Sequence, residues 1–70
     1  MELTDIQLRL RECIRRSGIA QKELAKKIGV SAQTVSKYMK ADVFPALDTF
    51  AKLCSALDVS ANYVLGLGEY

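Results

Sequence analysis

Apolar residues recur at steps of three and four along nearly the whole of this 70-residue chain. That spacing admits helices and excludes a sheet, whose side chains alternate every second residue. Leu3, Ile6, Leu10, Cys13, Ile14 and Ser17 make a first stripe expected to be buried, with Arg9, Arg11, Glu12, Arg15 and Arg16 on the other faces. Gly18 follows as a helix stop, since glycine adopts the left-handed conformation without a Cβ penalty. A short second helix is predicted over residues 21–28, with Leu24, Ala25 and Ile28 inward, Gln21, Lys22, Lys26 and Lys27 outward, and Gly29 at its end. Ser31 is a good N-cap for a third helix over about 32–40, on which Val35, Met39 and Tyr38 are the candidates for burial. Residues 41–45 form a loop. Beyond Pro45 comes a fourth stripe, Leu47, Phe50, Ala51, Cys54 and Leu57, with Asp48 near its start, where the helix dipole favours an anion. Ser60 caps a last short helix through Tyr63, Val64 and Leu65, closed by Gly66-Leu67-Gly68. The expectation is one all-α domain over residues 1–70, a compact bundle of five helices without strands or repeats.

Composition removes most enzyme classes. The chain has no His, so histidine triads, histidine metal sites and histidine acid–base chemistry are excluded. Its two thiols, Cys13 and Cys54, lie far apart without a CxxC and fall on apolar stripes, which reads as reduced cytoplasmic core packing rather than a zinc or redox site. No apolar run approaches the ~18 residues of a membrane span, and the acidic start Met1-Glu2-Leu3-Thr4-Asp5 is not a secretory leader. Gly66-x-Gly68 follows a helix rather than a strand, so it is a helix stop and not a nucleotide loop. No enzyme, metal or cofactor is expected. The net charge of +2 is modest, but residues 1–40 carry nine basic against four acidic side chains, a balance of +5, and residues 41–70 carry one against four, a balance of −3. A basic half joined to an acidic half suits docking one side against an anion.

The segment from Gln21 to about Lys40 carries the function. A small Ala25 lets two helices cross closely, Gly29 makes the tight turn that sets them steeply to each other, and Val30 and Val35 lock the second against the first. The polar residues of the third helix, Gln33, Thr34, Ser36, Lys37 and Lys40, are thereby held outward on a rod that fits the major groove, about 12 Å wide. Taken singly, Gln33, Ser36 and Lys37 read as a solvated helix face; within this motif they read as DNA contacts. Arg9, Arg11, Arg15 and Arg16 of the first helix read as an ordinary exposed surface, with room for one of them to reach a phosphate. Tyr63 and Leu67 suit a dimer interface or the core.

From about Ile6 to Gly68 the chain resembles the lambda-repressor-like helix-turn-helix domains of the Cro and phage-repressor type. The resemblance rests on Arg9-Leu10-Arg11, Gly18-Ile19-Ala20-Gln21, Glu23-Leu24-Ala25, Ile28-Gly29-Val30-Ser31, Val35-Ser36, Pro45-Ala46-Leu47-Asp48-Thr49 and the run Leu57 to Leu67. It implies that Gln21 meets a backbone phosphate and braces the recognition helix. It implies also that Ser31 caps that helix and touches phosphate, and that Gln33 reads a base, adenine through N6 and N7. Lys37 would reach guanine or a phosphate, Ala32 and Thr34 would offer methyls to thymine, Thr34 or Ser36 a hydroxyl, and Lys40 a phosphate grip. The chain departs from the pattern in several places. Ile14 and Met39 stand where relatives often pair an Arg with a Glu, and they are expected to pack together. Ala20 and Ala46 replace capping residues, with Glu23 left to bond the Ala20 N–H as half a capping box. Asp42, Val43 and Phe44 replace basic or glycine-rich residues, with Phe44 expected to plug the core. The reading is sequence-specific binding of double-stranded DNA by a bacterial or phage regulator in the cytoplasm, dimeric on a palindromic operator; the alternative is a protein-interaction module, antitoxin-like or adaptor-like, built on the same fold.

Overall fold

The computed structural model describes residues 2–68. These form α1 (Leu3–Ser17), α2 (Gln21–Ile28), α3 (Ala32–Lys40), α4 (Leu47–Leu57) and α5 (Ala61–Leu65), with no strand among them. The punctuation follows the sequence. Ser31 and Ser60 accept the backbone N–H of Thr34 (3.1 Å) and Tyr63 (3.4 Å), so two helices start on side-chain caps. After α1, the Ser17 hydroxyl donates to the Ile14 carbonyl (2.6 Å) and accepts the Ile19 N–H (3.1 Å), which tightens the first turn. Gly29 has φ +76°, and the carbonyl of Ala25 accepts the N–H groups of both Gly29 (2.9 Å) and Val30 (3.0 Å), folding the chain sharply from α2 into α3.

Leu24 and Ile28 of α2, Val35 of α3, Leu53 of α4 and Val64 of α5 are fully enclosed, with Leu10, Cys13 and Ile14 of α1 closing the core around them. Helix α2 lies against α3 and α4, while α1 crosses α5, α3 and α4. Burying each of these large aliphatic side chains stabilises the fold by about 1.5–3 kcal/mol, so the core is the main favourable term in so small a chain. Ile14 is buried in this core and Met39 packs against it, both as apolar residues. Tyr38 is also buried.

Several expectations require correction. Leu3 and Leu47 belong to the apolar periodicity of their helices but are 66% and 87% exposed, because each begins its helix in a first turn that nothing covers. Ala51 is likewise exposed, and the true stripe of α4 is Phe50, Leu53, Cys54 and Leu57. Phe44 does not plug the core; it remains 37% exposed on the rim of a shallow apolar groove with Leu3, Pro45 and Leu47. The half capping box does not form: neither Ala20 nor Ala46 is capped by a side chain, and Glu23 makes no hydrogen bond among the described residues. Finally, Arg9 and Arg11 are not an ordinary exposed surface. Arg9 donates to the Val64 carbonyl (2.9 Å), and Arg11 donates to the carbonyls of Tyr38 and Ala41 (both 2.9 Å), because helix ends leave carbonyls that need donors.

Candidate nucleic-acid interface

Helix α3 turns one side to the core and the other to solvent. Val35 and Tyr38 are buried and Met39 is half-buried, whereas Gln33, Lys37 and Lys40 are all exposed. The latter three sit at i, i+4 and i+7, so they stack on one face of the helix, one turn apart. Thr34 and Ser36 border this face and are half-buried, and Ala32 is exposed at its start. The predicted residues Ala32, Gln33, Thr34, Ser36, Lys37 and Lys40 therefore share one helix whose outward surface is amide, hydroxyl and ammonium. Gln21 and Ser31 are exposed too, each at the beginning of a helix of the motif.

The hydroxyls at the start of α3 are partly engaged. Ser31 Oγ lies 2.9 Å from Thr34 Oγ1 and caps the Thr34 N–H. One bond between two hydroxyls uses one of their two protons, so the pair keeps one proton for an outside acceptor. Of the two hydroxyl donors expected on this surface, Thr34 is thus coupled to Ser31, while Ser36 stands apart from that pair.

The cations sort themselves by chemistry. Arg15 and Arg16 both pair with Glu12, at 3.5 and 3.3 Å, and Arg9 and Arg11 bind carbonyls. Lys22, Lys26 and Lys27 of α2 and Lys37 and Lys40 of α3 are exposed and make no ion pair or hydrogen bond among the described residues. The free ammonium groups are thus concentrated on the two motif helices, with Lys52 of α4 apart from them. Of the α1 guanidinium groups, Arg9 and Arg11 tie elements together, while Arg15 and Arg16 share Glu12 on their own exposed face. Behind α3, burial pushes the phenol of Tyr38 above its ordinary pKa, and the nearby Asp48 carboxylate pushes it the same way, so Tyr38 supports the helix as a neutral ring.

Gln7 and Arg11 were not foreseen as part of this region. Gln7 is the one buried polar side chain described, 5% exposed, and its amide donates to the Ala41 carbonyl just beyond α3 (2.8 Å). The signal was present: Gln7 is four residues after Leu3 and seven before Ile14, a polar side chain on an apolar stripe.

A helix-turn-helix family profile matches residues 10–64, which takes in the second half of α1, all of α2, α3 and α4, and α5 as far as Val64. The chain belongs to this helix-turn-helix family. It is 36% identical over 61 residues to the HTH-type transcriptional regulator ImmR of Bacillus subtilis (strain 168), an alignment covering 87% of this chain and 48% of that protein. The chain thus spans about half the length of this relative. No solved structure matches it significantly. The fold and the profile agree on a helix-turn-helix domain. No helix of the described residues is long and apolar enough to cross a membrane.

Proposed function

We propose that this domain recognises a specific double-stranded operator by laying α3 in the major groove, as the reading head of a cytoplasmic transcriptional regulator of bacterial or phage type. The observation that carries the reading is the exposed row Gln33, Lys37 and Lys40, backed by unpaired lysines on α2. Gln33 suits adenine, donating to N7 and accepting from N6; Lys37 suits guanine O6 and N7 or a phosphate; Lys40 grips a phosphate. Ala32 and the Thr34 methyl offer apolar contact to thymine, and Ser36 a hydroxyl. Gln21 and the free proton of the Ser31–Thr34 pair face phosphates. That the relative is named a transcriptional regulator supports the role.

The protein acts as a homodimer on a palindrome. Each chain carries one α3, and half-sites on one face of the duplex lie roughly 34–36 Å apart, so reading two of them takes two copies. Selecting bound duplexes from a random pool tests the reading: enrichment of one inverted repeat is expected. Sedimentation on that repeat should show two copies per duplex, and a persistent one-to-one complex defeats the dimer. Log K should fall with log salt at a slope near −0.9 per phosphate contacted. A flat salt response with no enriched sequence would instead favour a domain that binds a protein partner.

A further inference from the structure

Four of the five helices end on a residue in the left-handed conformation: Gly18, Gly29, Asp58 and Gly66. Helix α3 does not. It runs into Ala41, whose backbone is extended at φ −120° and ψ 169°. A left-handed cap folds the chain back so that its own N–H groups reach the last carbonyls of the helix, and an extended exit leaves most of those carbonyls without that supply. Ala41 itself still donates to the Lys37 carbonyl (2.8 Å). The further donors come from across the molecule. Arg11 Nε reaches the Tyr38 carbonyl and Arg11 Nη2 the Ala41 carbonyl, both at 2.9 Å, and Gln7 Nε2 reaches the same Ala41 oxygen at 2.8 Å. The Ala41 oxygen thus has both lone pairs filled from α1, and a guanidinium charge sits at the negative end of the α3 dipole. The contacts span 27, 30 and 34 residues, so they fix one element against another rather than a turn against itself.

We propose that Gln7 and Arg11 are positioning residues for DNA recognition: a two-point clamp from α1 that stands in for the missing helix cap and sets how α3 presents Lys37 and Lys40. This rests on the DNA reading above and adds to it the device that aims the helix. The fork of Arg11 holds the last-turn Tyr38 carbonyl and the Ala41 carbonyl just past the helix through two nitrogens fixed in one plane, which sets direction as well as distance; a lysine offers both carbonyls a single, freely rotating nitrogen. Neither residue needs to touch the duplex. Their effect is to hold one orientation of α3 instead of several, and apparent affinity falls in proportion to the fraction of molecules in the competent orientation.

The test uses Arg11→Ala, Arg11→Lys and Gln7→Ala in the whole chain, with the duplex selected by the native protein. Amide hydrogen exchange is expected to speed up in the last turn of α3, at Tyr38 to Ala41, while Leu24 and Ala25 of α2 keep native protection. At a temperature where every variant is fully folded, Arg11→Ala should lose about tenfold in affinity for the selected duplex, as when the competent orientation drops to about a tenth of the population. Arg11→Lys should recover only part of this, and Gln7→Ala should fall between Arg11→Lys and the native protein. The salt slope should stay native. A slope shallower by about 0.9 would show that Arg11 contacts a phosphate directly and overturn the clamp. Native exchange at the end of α3 would overturn it too, as would faster exchange with unchanged affinity. If the native protein selects no duplex while the exchange pattern changes as described, the DNA reading fails and takes the positioning role with it, leaving a purely structural clamp. Should Arg11→Ala not fold, Gln7→Ala and Arg11→Lys carry the same comparisons.

Discussion

The side chains most exposed to a partner are those the fold can lose. Gln33 and Lys37 make no hydrogen bond or ion pair among the described residues, so truncating them removes nothing from the core. Gln33→Ala and Lys37→Ala are therefore expected to melt as the native domain does, yet each to weaken specific binding by about 1–3 kcal/mol where the side chain makes a bidentate base contact. Gel-shift or fluorescence titration beside thermal melting checks this; unchanged binding in both variants would move the reading surface elsewhere. At this scale the sequence was legible for residues whose role is to be uncovered. It was not legible for Arg9 and Arg11. Their partners are carbonyls, which every residue has, and the partners lie 55 and about 30 positions away, so no local pattern announces them.

The elements were legible nearly to the residue, because half of the boundaries carry a chemical mark: serine caps before α3 and α5, and left-handed glycines after α1, α2 and α5. Burial within an element was less so. Helical periodicity gives a face but not how far along the helix neighbours cover it, so Leu47 fits the stripe yet lies outside the core, while Leu53 is enclosed. Ala25, 3% exposed between α2 and its neighbours, marks a close crossing. Ala25→Leu should cost typically about 1–3 kcal/mol by overpacking, visible as a lower urea midpoint. The opposite sign is expected at Ala20, the extended, uncapped residue before α2: Ala20→Ser should gain roughly 0.5–2 kcal/mol by capping the free N–H groups. A midpoint unmoved or lowered by Ala20→Ser would mean that those donors are already satisfied.

For the molecule as a whole, stability should be lost on the alkaline side. Cys13, Cys54 and Tyr38 are held neutral by burial, and all three have pKa values raised above their ordinary 9.0, 9.0 and 10.0. Nearby charges adjust the shifts: Arg16 opposes that of Cys13 while Glu12 adds to it, and Cys13 adds to that of Cys54. A raised pKa means that the folded state keeps its proton where the unfolded chain has released it. The stabilisation is complete below the ordinary values and drains away as pH climbs through the raised ones. Melting temperature should accordingly fall as pH rises through about 9 and beyond. The fall should be shallower in a Cys13→Ala, Cys54→Ala double variant, whatever that variant loses at neutral pH from its smaller core. An equally steep fall in the double variant would show that the thiols take no part.

The division of labour between guanidinium and ammonium has a practical outcome. Acetic anhydride neutralises primary amines and spares arginine; phenylglyoxal does the reverse. On this protein the first reagent would strip charge from the motif helices and leave the inter-helix bonds intact, and the second would attack those bonds at Arg9 and Arg11. Lys52, on α4 and outside the motif, supplies an internal standard. Mass-resolved acylation with and without a duplex would then draw the footprint of the nucleic acid on the native molecule, with Lys37 and Lys40 shielded and Lys52 reacting at its free rate.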